Sequence, residues 1–223
     1  MKNGKKLIWI SLLFFLLFAA FTAIVMTVDV QTIGPEETSV GLATFNGAYA
    51  KTVGYRDGWY RLSELTGTLS LLTAAAFSLW TLIQMIRRRG IFRAEKRLLL
   101  LLGFYALVAV IYVLFDHLVI NYRPVILDEG LELSYPSSHT LLAMCVMGTA
   151  AVQLGVRFAE RKAIRNLTVC TCVLLLVLTV VGRALSGVHW LTDIIGSILL
   201  SAALVFLYVG LLAYFERDGM EKG

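Results

Sequence analysis

The chain of 223 residues is 58% hydrophobic and only 16% charged, with a mean hydropathy of +0.78, which excludes an ordinary soluble domain and describes an integral membrane protein. Its formal net charge of +5 does not imply a nucleic-acid partner, because the basic residues gather in alternate loops between apolar runs. A hydrocarbon core of about 30 Å takes roughly 20 helical residues to cross, and runs of that kind recur along the chain.

The first predicted span, Leu7 to Met26, follows Lys2, Lys5 and Lys6. Lysines before an apolar core, with Ala19, Ala20 and Ala23 beyond, also describe a cleavable signal peptide; the run is long for that, which favours retention, and cleavage would leave the later topology unchanged. Val28 to Glu64 is the longest polar interval and forms an outer-face loop region. Within Glu37 to Val53, the apolar residues Val40, Leu42, Phe45, Ala48 and Tyr49 are spaced compatibly with a short helix lying on the bilayer surface. Trp59 and Tyr60 stand just before the second span, as in an aromatic interfacial belt.

The second span, Leu65 to Ile86, is followed by Arg87, Arg88, Arg89, Arg93, Lys96 and Arg97, and the third runs from Leu98 to Ile120. The loop Asn121 to His139 leads into a short fourth span, Leu141 to Val156. Arg157, Arg161, Lys162 and Arg165 separate it from the fifth, Leu167 to Leu185; the sixth, Leu191 to Phe215, precedes Arg217 and Lys222. The positive-inside rule places every basic cluster on the cytoplasmic side. Both termini are then cytoplasmic, as an even number of spans requires. The expected fold is all-α and polytopic, with six transmembrane helices in one domain over 1–223, since no internal repeat or linker divides the chain. Cys145, Cys170 and Cys172 lie in apolar runs without metal-ligand spacing and read as reduced packing residues.

Charge at the outer ends of these spans is costly unless it has a partner or a task. Arg183, His189 and Asp193 fall at the junction of the fifth and sixth spans, with His189 and Asp193 one helical turn apart. That spacing suits a histidine held by a carboxylate. The loop before the fourth span carries Arg123-Pro124 and then Pro136, Ser137, Ser138 and His139. Either serine is a natural N-cap, and a helix start offers unpaired N–H groups and a positive dipole end to an anion. All three histidines, His117, His139 and His189, fall on this side of the membrane; for His117 a local hydrogen bond is the simplest role. Two guanidinium forks and a helix start make a phosphate clamp. Beside it His189, backed by Asp193, is a nucleophile or base, and His139 an acid for a departing oxygen.

These blocks resemble the signature of the type-2 phosphatidic acid phosphatase superfamily, whose pattern is Lys, six residues, Arg-Pro; Pro-Ser-Gly-His; and Ser-Arg, five residues, His, three residues, Asp. Arg123-Pro124 matches the first block's end, Pro136, Ser137 and His139 the second, and Arg183, His189 and Asp193 the third. The resemblance implies His189 as nucleophile, Asp193 as its orienting partner and His139 as general acid, with Arg123, Ser137, Ser138 and Arg183 binding phosphate. It also implies an integral membrane lipid phosphatase on the extracytoplasmic side that works through a phosphohistidine, without cofactor or metal. Its substrate would be phosphatidate, phosphatidylglycerophosphate or an isoprenoid diphosphate such as undecaprenyl diphosphate. Ser138 replaces the family glycine, Gly182 the family serine, and Asp116 the family lysine. A carboxylate at 116 would repel phosphate unless neutralised, for which Arg123, Arg183 and His117 are the expected partners.

Three other readings stand beside this one. Asp116 and Gly182 also fit a catalytically reduced relative that binds or transports phospholipid. The histidines with Asp128, Glu129 and Glu132 fit a metal hydrolase. A serine esterase of Ser137, His189 and Asp193 would leave the two arginines without a purpose.

Overall fold

A computed structural model describes residues 2–127 and 130–220, with side chains over 4–127 and 130–215. Asp128, Glu129 and Lys222 lie outside the described residues, as do the side chains of Lys2 and Arg217. The described residues form seven α-helices: α1 (Lys2–Thr27), α2 (Ala43–Val53), α3 (Asp57–Arg87), α4 (Lys96–Phe115), α5 (Ser138–Arg157), α6 (Lys162–Ser186) and α7 (Leu191–Met220). All but α2 are long and apolar enough to cross a membrane, so the six expected spans are present.

Of the boundaries that differ from expectation, three have a clear local reason. α3 begins at Asp57, two turns before Leu65, because an acidic first residue suits a helix start and the Arg61–Asp57 ion pair (2.8 Å) ties the first turn together. α4 stops at Phe115, where Asp116 becomes its C-cap and His117 turns back so that Nδ1 lies 2.8 Å from the Val113 carbonyl oxygen. The local hydrogen bond expected of His117 is thus made. The short helix expected between the first two spans is found as α2, confined to Ala43–Val53. Its first turn is held by the Asp29 carboxylate, which accepts from the Thr44 N–H (2.7 Å); that bond lowers the Asp29 pKa below the usual carboxylate value. Gly54, at φ 60°, ends it.

α5 and α7 form the middle of the bundle: half of each central window is buried, against 17–22% for the other spans. α1 lies along α7, α6 lies along α5, and α3 packs on both α5 and α6. Phe104, Leu141, Met147, Leu204 and Tyr208 are among the buried side chains between them. Cys145 and Cys172 are in this core and Cys170 is exposed, all three as free thiols.

Without a hydrophobic drive between helices in lipid, close approach depends on small residues and short polar bridges. Gly182 supplies one such approach, since a Cβ there would lie 2.9 Å from Ser63 Cβ. Thr179 supplies a bridge by donating to Thr66 Oγ1 (2.8 Å). The replacement of the family serine at 182 is therefore a packing requirement of α3 on α6. Alternation of the spans brings the starts of α3, α5 and α7 and the ends of α4 and α6 to one end of the bundle. The arginine-rich turns after α3 and α5 are at the other end.

Candidate active site

α6 ends at Ser186, and Gly187 (φ 73°) reverses the chain into α7 through Val188, His189 and Trp190. Only glycine suits this turn. The φ is left-handed, and a Cβ would meet the Gly54 carbonyl oxygen at 2.0 Å. The turn is clamped from two sides. From the α2 region, the Arg56 N–H donates to the Ser186 carbonyl (2.9 Å), the Tyr49 hydroxyl donates to the Ala184 carbonyl, and Asn46 Nδ2 donates to Thr192 Oγ1 (2.9 Å). From the other side, the Trp190 indole N–H donates to the Tyr122 carbonyl (2.7 Å).

Buried within this clamp, His189 Nδ1 lies 3.6 Å from Asp193 Oδ2. The i,i+4 pairing read from the sequence is present, at a distance beyond a direct hydrogen bond. Ser134 occupies the space between, with Oγ 3.0 Å from His189 Nδ1 and its hydroxyl donating to Asp193 Oδ2. Asp193 also accepts from the Trp190 N–H (2.9 Å) and Asn121 Nδ2 (3.2 Å). Burial pulls the His189 pKa down to about 4; Asp193 opposes the shift, and Arg123 and Arg183 add to it. The ring is neutral at pH 7.

Asn121 and Ser134 reach the site because the loop closes on itself: Tyr122 and Leu133 form an antiparallel bridge, and the Ser134 N–H donates to the Asn121 carbonyl (2.9 Å). The same closure brings Arg123 to Glu132, an ion pair of 3.0 Å.

At the start of α5, Ser137 occupies the N-cap position, but its hydroxyl does not cap the helix. It donates instead to Thr140 Oγ1 (3.1 Å), which corrects the expected capping contact. Two residues on, His139 lies against α3, where a Cβ on Gly67 would be 2.5 Å from its Cδ2. Glu64 of α3 joins it to Arg183: Oε2 is 3.4 Å from His139 Nε2, and Oε1 accepts from the Arg183 guanidinium. Arg183 is fully buried and stands 5.3 Å from the centre of the Tyr60 ring. Tyr60, expected in an interfacial belt, carries this guanidinium on its face.

A cleft of about 330 Å³ opens beside these groups, its wall including Asp116, Arg123, Ser134, Ser138 and His189. His139 and Arg183 are not part of that wall and face Glu64. Asp116 is exposed and is not neutralised as expected: Arg123 pairs with Glu132, Arg183 with Glu64, and His117 with Val113. Among the described residues, no three His, Cys, Asp or Glu side chains converge as a metal-ligand set. The buried side-chain nitrogens and oxygens lacking a hydrogen-bond partner, among those described, are Arg123 Nε, Arg183 Nε and Nη1, His139 Nδ1, His189 Nε2 and Asn121 Oδ1. All belong to this one end of the bundle, where native proteins elsewhere satisfy such groups.

The model of the PAP2 superfamily matches residues 115–217. The transmembrane PAP2-type phosphatidylglycerolphosphate phosphatase from Bacillus subtilis, known from its crystal structure, is similar in fold, with a TM-score of 0.58 at 22% identity over 94% of this chain and 97% of that one. Comparison with curated proteins finds no match.

Proposed function

Residues 115–217 match the model of the PAP2 superfamily, and from that premise we propose that the chain, as a single membrane-embedded unit, is a lipid phosphatase that transfers the phosphoryl group of a lipid phosphate or diphosphate to His189 and then to water. The observation that carries this reading is the set of unspent groups in one place. Arg123 and Arg183 hold buried N–H donors, and His189 holds a buried Nε2, none with a partner among the described residues. Buried groups left so are costly unless a ligand completes them.

In the first step the Nε2 lone pair forms a bond to phosphorus and the bond from phosphorus to the lipid-bearing oxygen breaks. The electron pair passes to that oxygen, which takes a proton from His139 in its imidazolium form, with the Glu64 carboxylate 3.4 Å away as the counter-charge of that form. In the second step water attacks the phosphohistidine and gives its proton to His139; inorganic phosphate leaves and neutral His189 returns. The guanidinium groups and the N–H groups at the start of α5, near Ser137 and Ser138, bind the phosphoryl oxygens. Asp193 orients His189 and offsets the charge it acquires.

The site lies at the end of the bundle opposite the arginine-rich turns, which by the positive-inside rule supports an extracytoplasmic location. Candidate substrates are phosphatidate, phosphatidylglycerophosphate and undecaprenyl diphosphate. Phosphate release from each in detergent, with His189→Ala and His139→Ala as controls, tests the proposal: release abolished by His189→Ala supports it. Wild-type protein that binds these lipids but releases no phosphate would favour the phospholipid-binding reading, which the exposed Asp116 beside the cleft supports.

A further inference from the structure

We infer that Ser134 is a positioning residue of the reaction, a hydroxyl bridge through which Asp193 sets the tautomer of His189. The inference rests on the reading of His189 as the nucleophile, and it follows from counting protons. A carboxylate only accepts, so the contact between Ser134 Oγ and Asp193 Oδ2 uses the one proton of the serine hydroxyl. The contact of 3.0 Å between Ser134 Oγ and His189 Nδ1 must then take its proton from the imidazole. A neutral ring protonated on Nδ1 has its lone pair on Nε2, and Nε2 is the ring nitrogen without a partner among the described residues.

A direct bond from His189 to Asp193 does not give this result, because Nδ1 and Oδ2 are 3.6 Å apart. The carboxylate is already served by the Trp190 N–H and the Asn121 amide as well as by Ser134. The serine is buried, and its own N–H is fixed to the Asn121 carbonyl at 2.9 Å. Its hydroxyl is therefore held in register with both partners. When Nε2 binds phosphorus and the ring becomes cationic, Nδ1–H still donates to Ser134, and Ser134 still donates to the carboxylate.

The test pairs two side chains of one shape, Ser134→Thr and Ser134→Val, in purified protein with phosphatidate in mixed micelles, beside His189→Ala. The bridge predicts that the threonine variant keeps kcat within about threefold of wild type, and that the valine variant loses roughly tenfold to a hundredfold in kcat with KM nearly unchanged. Imidazole nitrogen NMR of histidine-labelled wild-type protein supplies a readout independent of activity and of either variant's folding: His189 is expected as the Nδ1–H tautomer. Equal kcat for the two variants, or an Nε2–H tautomer in wild type, would overturn the inference. If His189→Ala is inactive while the valine variant matches the threonine one, the bridge alone falls. If His189→Ala keeps wild-type release, the nucleophile assignment falls and takes the bridge with it.

Discussion

Glu64 and Arg183, 119 residues apart in the chain, meet as an ion pair where the starting turns of α3 face the end of α6. The guanidinium is completely buried, whereas the Glu64 side chain is 38% exposed, so the carboxylate is the partner able to leave. In the proposed reaction it occupies the place on Arg183 that a phosphoryl oxygen takes.

Glu64→Gln removes the counter-charge of Arg183 and is expected to cost about 1–3 kcal/mol of stability, at the low end for a buried pair because the carboxylate is partly solvated. Orthovanadate, a phosphate mimic, should then stabilise the variant more than it stabilises wild type, since its binding no longer displaces a carboxylate. Thermal unfolding in detergent with and without vanadate measures both. An equal vanadate shift in the two proteins would show that Glu64 does not compete for the anion position.

Gly67→Ala places a methyl group 2.5 Å from the His139 ring, on the helix backbone that the ring lies against. The ring must move, while an alanine inside a helix is otherwise favourable. Activity should fall at least about tenfold, mainly in kcat, with unfolding temperature little changed. Wild-type kcat in this variant would mean that the placement of His139 is not critical.

The pH dependence follows from burial of His189. Its neutral form is the nucleophile and its pKa is lowered to about 4, so protonation removes activity only near that pH. The acid limb of kcat/KM from this group should fall near 4 rather than near 6.5, the ordinary histidine value. The stability linkage has the same sign: between these values the unfolded chain binds a proton that the folded one does not. The contribution is present above about 6.5 and lost as pH falls through 4. A plot of log kcat/KM against pH from 4 to 8 checks this, and an acid limb centred near 6.5 that belongs to His189 would contradict it.

The spans and the spaced motif were readable because each depends on local pattern: apolar runs set the helices, and Arg183, His189 and Asp193 lie within one short stretch. What was not readable depends on tertiary approach. Ser134, Asn121 and Gly67 are ordinary residue types, and they meet His189, Asp193 and His139 only after the 121–134 loop closes and α3 packs on α5. Glu64 was assigned to the end of a polar loop because hydropathy places the second span at Leu65, whereas charge and the Arg61–Asp57 pair extend α3 outward to Asp57. A lone carboxylate beside an apolar run, on the same side as Arg123 and Arg183, is the available signal. Asp116 lacks the cation expected for it because Arg123 pairs with Glu132 across the closed loop and Arg183 with Glu64.

The most direct measurement is to quench the purified protein during turnover of a lipid labelled with radioactive phosphate and to map the labelled residue. The account predicts an acid-labile, alkali-stable phosphohistidine in the peptide containing His189, absent from His189→Ala, with phosphate release by that variant lowered by a factor on the order of a thousand or more. Release at the wild-type rate by His189→Ala, or label on another residue, would contradict it.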